Sequence, residues 1–100
     1  MAQDTNVEMY RARASMTGVL ARASKVCTPD YDTKSMLIAA TQLRASIEQK
    51  APISPDQIRK WGEDGAGNFD GDVARFGVPS ACSHAIEMIA KAREAITSGK

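Results

Sequence analysis

Within the stretch TKSMLIAATQLRASIEQK, Met36, Ala40, Leu43 and Ile47 recur at helical spacing and stack on one face. The pattern predicts a helix over Thr33–Lys50. Leu37, Ile38 and Ala39 carry the apolar surface well beyond that stripe. A helix apolar over so much of its circumference is expected inside the molecule, with others packed around it.

The same periodicity predicts two more long helices. In the first, over residues 5–25, Met9, Met16, Val19 and Leu20 form the apolar face, with Tyr10 at its edge. Thr5 and Glu8 fit a capping box at its start, leaving residues 1–4 frayed. Arg11, Arg13, Arg22 and Lys25 lie on its polar side, Arg11 and Arg22 nearly on one line. The last helix opens at Val78-Pro79-Ser80 and runs to about Thr97, with residues 98–100 frayed. Its stripe is Cys82, Ala85, Ile86, Ile89, Ala92 and Ile96.

Breakers separate these elements. Pro29 cannot continue the first helix, and Asp32 or Thr33 can cap the second. After Pro52, Ser54-Pro55-Asp56-Gln57 combines a cap, a proline in the first turn and a closing glutamine. It predicts a short helix ending by Glu63, with Ile58 and Trp61 facing inward. Residues 63–72, EDGAGNFDGD, read as an irregular loop, because three glycines, an asparagine and four carboxylates disfavour a packed element. A single helical turn follows, ended by Gly77. The expected fold is all-α, one domain over residues 1–100: a small bundle of three long helices plus one or two short ones.

Composition narrows the reading. The chain has 100 residues, 43% hydrophobic and 25% charged, the proportions of a globular domain. A formal net charge of +1 offers no bulk attraction to nucleic acid or to an acidic membrane. No apolar run approaches a membrane span, and the start lacks the layout of a signal peptide. Cys27 and Cys82 match no zinc or redox spacing and read as two small buried hydrophobes in a reducing compartment. The expectation is a soluble intracellular protein.

Candidate chemistry is sparse. Calcium-loop frames from Asp64 or Asn68 both fail, since Phe69 or Val73 falls where the glycine must be. Gly65, Gly67 and Gly71 miss the dinucleotide fingerprint and sit among carboxylates that repel phosphate. His84 stands alone, and Cys82, two residues away on a helix, points in a different direction. No nucleophile–base pair, metal set or cofactor loop is legible, so no enzyme and no cofactor are expected. Two features remain as partner-binding candidates: the acidic segment with Glu63, Asp64, Asn68, Phe69, Asp70 and Asp72, and the basic line through Arg11, Arg22 and Lys25. Phe69 either plugs back into the core or stands exposed as an anchor ringed by acids.

The opening MAQDTNVEMYRARASM, the near-100-residue length and the all-helical layout resemble the small anti-CRISPR proteins of bacterial viruses and mobile elements. The likeness is to helical inhibitors of the type I-F surveillance complex. It implies a stoichiometric, cofactor-free inhibitor in the cytoplasm of a bacterial host cell that binds Cas subunits and blocks target DNA binding or duplex unwinding, and a monomer is expected over an oligomer. The acidic segment would then occupy a basic Cas surface where phosphates lie. Rival readings are a small helical DNA-binding regulator using the basic first helix, and an oligomeric helical adaptor.

Overall fold

The computed structural model describes residues 2–98, with side chains from Val7 to Thr97. The order is α1 (Ala2–Val26), a 3-10 turn (Pro29–Tyr31), α2 (Thr33–Lys50), α3 (Pro55–Phe76) and α4 (Val78–Ser98). The described residues are all helix and connection, with no strand. There are therefore four long helices, not three with short companions.

The helix at the centre is α1, not α2. It packs against all three others, most extensively against α3 and α2. Its 25 residues span about 37 Å at 1.5 Å per residue, and the molecule's long axis is 38 Å. The expectation that α2 lies inside fails. Its stripe of Met36, Ala40, Leu43 and Ile47 is buried, but Leu37 and Ile38 are 52% and 45% exposed. The inner position belongs to α1 because its inward residues are small. Ala14, Thr17, Gly18 and Ala23 let neighbouring backbones come close on more than one side. Thr17 is the one buried polar residue there, and its hydroxyl donates to the Ala14 carbonyl at 2.6 Å. No buried polar side-chain atom among the described residues lacks a partner.

Several boundaries follow the expected local chemistry. The Ser54 hydroxyl accepts from the Gln57 amide at 3.2 Å, and Pro55 takes the first turn of α3. Gly77 ends α3 at φ +91°, a backbone angle that L side chains rarely adopt, and its amide reaches the Val73 carbonyl. Asp32 occupies the cap of α2 but makes no side-chain cap bond. It sits instead at φ +61°, in the left-handed region that aspartate tolerates, with its carbonyl accepting from Met36. The first helix begins at Ala2, ahead of the expected cap at Thr5 and through the expected frayed end. The Thr5 side chain, Met1, Gly99 and Lys100 lie outside the described residues.

The largest correction is the segment 63–72. It is the middle of α3, a helix of 22 residues. Composition argued for a loop, but the period argued for a helix. Ile58, Gly62, Gly65, Phe69 and Val73 recur every three or four positions, with Trp61 beside them, and face the interior to differing depth. Glycine weakens a helix where it exposes backbone, yet Gly62 and Gly65 lie on the face turned to α1, and at Gly65 the missing side chain allows close approach. A Cβ at Gly65 would stand 1.9 Å from the Ser15 carbonyl oxygen, and one at Gly18 would stand 1.6 Å from that of Gly62. The absent side chains are thus part of the α1–α3 packing. Phe69 is 2% exposed and fills the core beside them.

Gly67 and Gly71 are different, since a Cβ at either meets nothing within 4 Å. Gly67→Ala and Gly71→Ala are expected to stabilise the domain by about 0.5–1 kcal/mol each. The gain would be read as a higher urea midpoint with unchanged slope. A loss of helicity, or no gain at both positions, would show that this segment is not helical in solution.

The two cysteines are also not free. Cys27, just past the end of α1, and Cys82, in the second turn of α4, form a disulfide with a Cα–Cα distance of 5.9 Å. Both are buried, as expected, but they are a covalent staple and not two separate hydrophobes. A separation of 55 residues leaves no local spacing to read. The expected stripe on α4 holds at Cys82, Ala85, Ile89 and Ala92, while Ile86 is exposed and Ala81 and Ala95 join the core.

Candidate functional site

α2 and α3 both pack on α1 but barely touch each other, so a groove opens between them with α1 as its floor. Its volume is about 340 Å³, and no residue of α4 lines it. Gly18 and Ala21 of α1 form the base. Leu37 and Ala40 of α2 face Ile58 and Ala66 of α3 across it. The close α1–α3 approach that the glycines permit makes this floor smooth and shallow, with no large side chain rising from the base.

The rim is cationic. Arg22 and Lys25 of α1, Arg44 of α2 and Arg59 of α3 line the groove, against one carboxylate, Glu63. Each arginine holds a carboxylate beside the groove. The Arg22 Nε donates to Asp70 at 3.0 Å, the Arg44 Nε donates to Glu48 at 3.3 Å, and Arg59 lies 3.5 Å from Asp56. These pairs are substantially exposed, so each contributes little, about 0–1 kcal/mol, and opens at little cost. Lys25 has no acidic partner among the described residues. The arrangement can accept an anionic group at the rim and an apolar one on the floor.

The candidates read from the sequence divide accordingly. Arg22, Lys25 and Glu63 line the groove, and Asp70 reaches it through Arg22. Glu63 and Asp70 are seven residues apart and fall on one side of α3. Asp64 and Asn68 are exposed on other parts of the helix surface, and Arg11 is exposed farther along α1, outside the groove. Phe69 cannot act as an exposed anchor, because it is in the core. The acids around it therefore do not form one patch, since the helix turns them to different sides. The contributions of Leu37, Arg44, Arg59 and Ala66 were not singled out from the sequence. Leu37 was the available signal, an apolar residue off the buried stripe of its helix.

A second hollow of about 320 Å³ lies at the α3–α4 corner, lined by Asp72, Phe76, Ser80, Ala81 and His84. It gathers acid, hydroxyl and imidazole, yet no hydrogen bond joins these three among the described residues. Phe76 is 66% exposed, and Ser80 and His84 are exposed as well, so the hollow is shallow and wet. Among the described residues no group of three His, Cys, Asp or Glu could hold a metal ion, and no helix is long and apolar enough to cross a membrane.

No protein-family model, curated protein or solved structure matches the chain. What the fold and groove define is an all-α domain: two helices and a disulfide-anchored third arranged about one long helix, with a cation-rimmed groove on its surface.

Proposed function

We propose that this chain is a non-enzymatic, monomeric binding domain that acts by occupying the surface of a protein partner. The observation that carries this reading is the groove between α2 and α3. It sets the exposed Leu37 side chain and half-buried small residues inside a charged rim. Such a surface supplies shape and charge for recognition without a cofactor.

The narrower form of the proposal takes its partner from the resemblance of the chain to helical anti-CRISPR inhibitors. The partner would be Cas subunits of a type I surveillance complex, and binding would block target DNA binding or unwinding in the bacterial cytoplasm. The dispersal of the acids on α3 weighs against their acting as a phosphate mimic centred on Phe69. The Cys27–Cys82 bond weighs against a reducing compartment, where such bonds do not persist.

The test is a target-DNA mobility shift with the purified surveillance complex and the chain in both oxidised and reduced form. Loss of DNA binding near equimolar chain supports the narrower reading. Full DNA binding at large excess, with no co-elution of chain and complex, removes it and leaves only the binding domain. The DNA-binding alternative loses ground because Arg22, in the middle of the basic line, is paired with Asp70. Its sign would be salt-dependent binding of the chain alone to naked duplex.

A further inference from the structure

We infer that the groove takes an acidic amphipathic helix of the partner, laid between α2 and α3 with its apolar face on the floor. This deepens the reading of the chain as a protein-binding domain and rests on it.

Three observations select that occupant. First, the groove is bounded by two helices that barely touch each other while both rest on a third, and no residue of α4 contributes. A helix placed there would cover the face of α1 around Gly18 and Ala21. Helix-in-groove recognition uses this geometry, with anchors at i, i+3, i+4 and i+7. Second, Ala21 and Ala66 are small and only half-buried, so side chains that come from outside find room against them. Leu37 offers them an apolar wall while more than half exposed. Third, charge complementarity fixes the sign of the partner. Four cations face one carboxylate along the lining. The three arginines already hold carboxylates of this chain in exposed pairs, so a partner's glutamates and aspartates can exchange into contacts of the same kind. Lys25 offers a charge that needs no exchange.

A nucleic acid fits less well. No aromatic side chain lines the groove to stack a base, and the apolar floor would desolvate a phosphate backbone without answering it. A basic helix would be repelled by Lys25 and would find only Glu63 on the lining to answer it.

The experiment is a selection of displayed random peptides, each about 16 residues or four to five helical turns, on the intact oxidised domain. Selected peptides are then made with a fluorescent label, and their affinity is measured by polarisation. The expected result is enrichment of acidic sequences with apolar residues at helical spacing. Their affinity should fall about tenfold or more for the double variant Lys25→Glu/Arg44→Glu. Lys25→Gln/Arg44→Gln should lose less, in proportion to charge. These side chains are exposed, and unchanged circular dichroism and melting would confirm that the variants are folded.

Enrichment of basic or uncharged peptides, or acidic peptides indifferent to both double variants, would overturn the inference while leaving a protein-binding domain. Failure to enrich any peptide would overturn the inference too. If the chain also engaged no protein in the co-elution experiment above, the broader reading would fall separately. Displacement of selected peptides by duplex DNA at equal concentration would assign the groove to nucleic acid instead.

Discussion

Gly18→Ala is expected to destabilise the protein by about 3 kcal/mol or more, a large part of the roughly 5–15 kcal/mol that holds a domain of this size together. The added methyl would lie 1.6 Å from the Gly62 carbonyl oxygen and 2.5 Å from its carbonyl carbon. Those are backbone atoms inside a helix, so no rotamer change can make room. The two helices must move apart along their crossing, loosening the core contacts of Ala14, Ile58 and Phe69 together. Gly65→Ala meets the Ser15 carbonyl at 1.9 Å and is expected to behave alike. Gly62→Ala is the control. Its nearest contacts are 3.6 Å from the Ala14 oxygen and the Thr17 hydroxyl, ordinary distances. There the gain in helix propensity, about 1 kcal/mol, should offset any cost. Urea denaturation of the three variants measures this. A Gly18→Ala domain as stable as the parent would mean that α1 and α3 do not cross there.

Removing the disulfide is expected to cost a similar amount. Closing a loop across 55 residues removes chain entropy from the unfolded state worth about 4 kcal/mol. For a domain of this length that corresponds to a fall of roughly 15–30 °C in melting temperature. The measurement is a thermal melt of the parent with and without reductant, beside Cys27→Ser/Cys82→Ser. Reductant should lower the parent's midpoint and leave the double variant unmoved. A parent indifferent to reductant would show that the thiols are unbonded in solution. The result also bears on location. If the reduced domain is mostly unfolded at growth temperature, the chain works in an oxidising compartment, and the cytoplasmic inhibitor reading weakens.

Much of the secondary structure was legible because its signals are local. The bounds of α2 followed from Pro29, the apolar spacing and Pro52, all within a few residues of the ends they set. The start of α3 followed from Ser54 and Pro55, and its end from Gly77. The middle of α3 was misread because residue types were weighed above their period. Glycine is a helix breaker only when its missing side chain is a loss. At Gly65 it is what lets α1 approach, and nothing within α3 announces that. The rank of the helices was misread for a related reason. Breadth of apolar surface pointed to α2, but the inner helix must be thin as well as apolar, and α1 is the thin one.

The groove was legible only in fragments. Arg22, Lys25 and Glu63 were picked out for their charge, from what read as two separate features on two elements. They share one site because α1 and α3 cross at their glycines, bringing Arg22 to Asp70 across 48 positions of sequence. Within α2, Arg44 carried no sign of it, and Leu37 only that of an apolar residue off the buried stripe.

By itself, then, the sequence determined an all-α chain, most helix ends and most of the buried stripe, since capping, proline geometry and periodicity act over a few residues. Tertiary structure alone decided which helix is central, that Cys27 and Cys82 bond, that Phe69 is inside, and that four cations surround one apolar groove. Each of those depends on two segments meeting in space, and a meeting of backbones at glycine leaves no pattern in either segment alone.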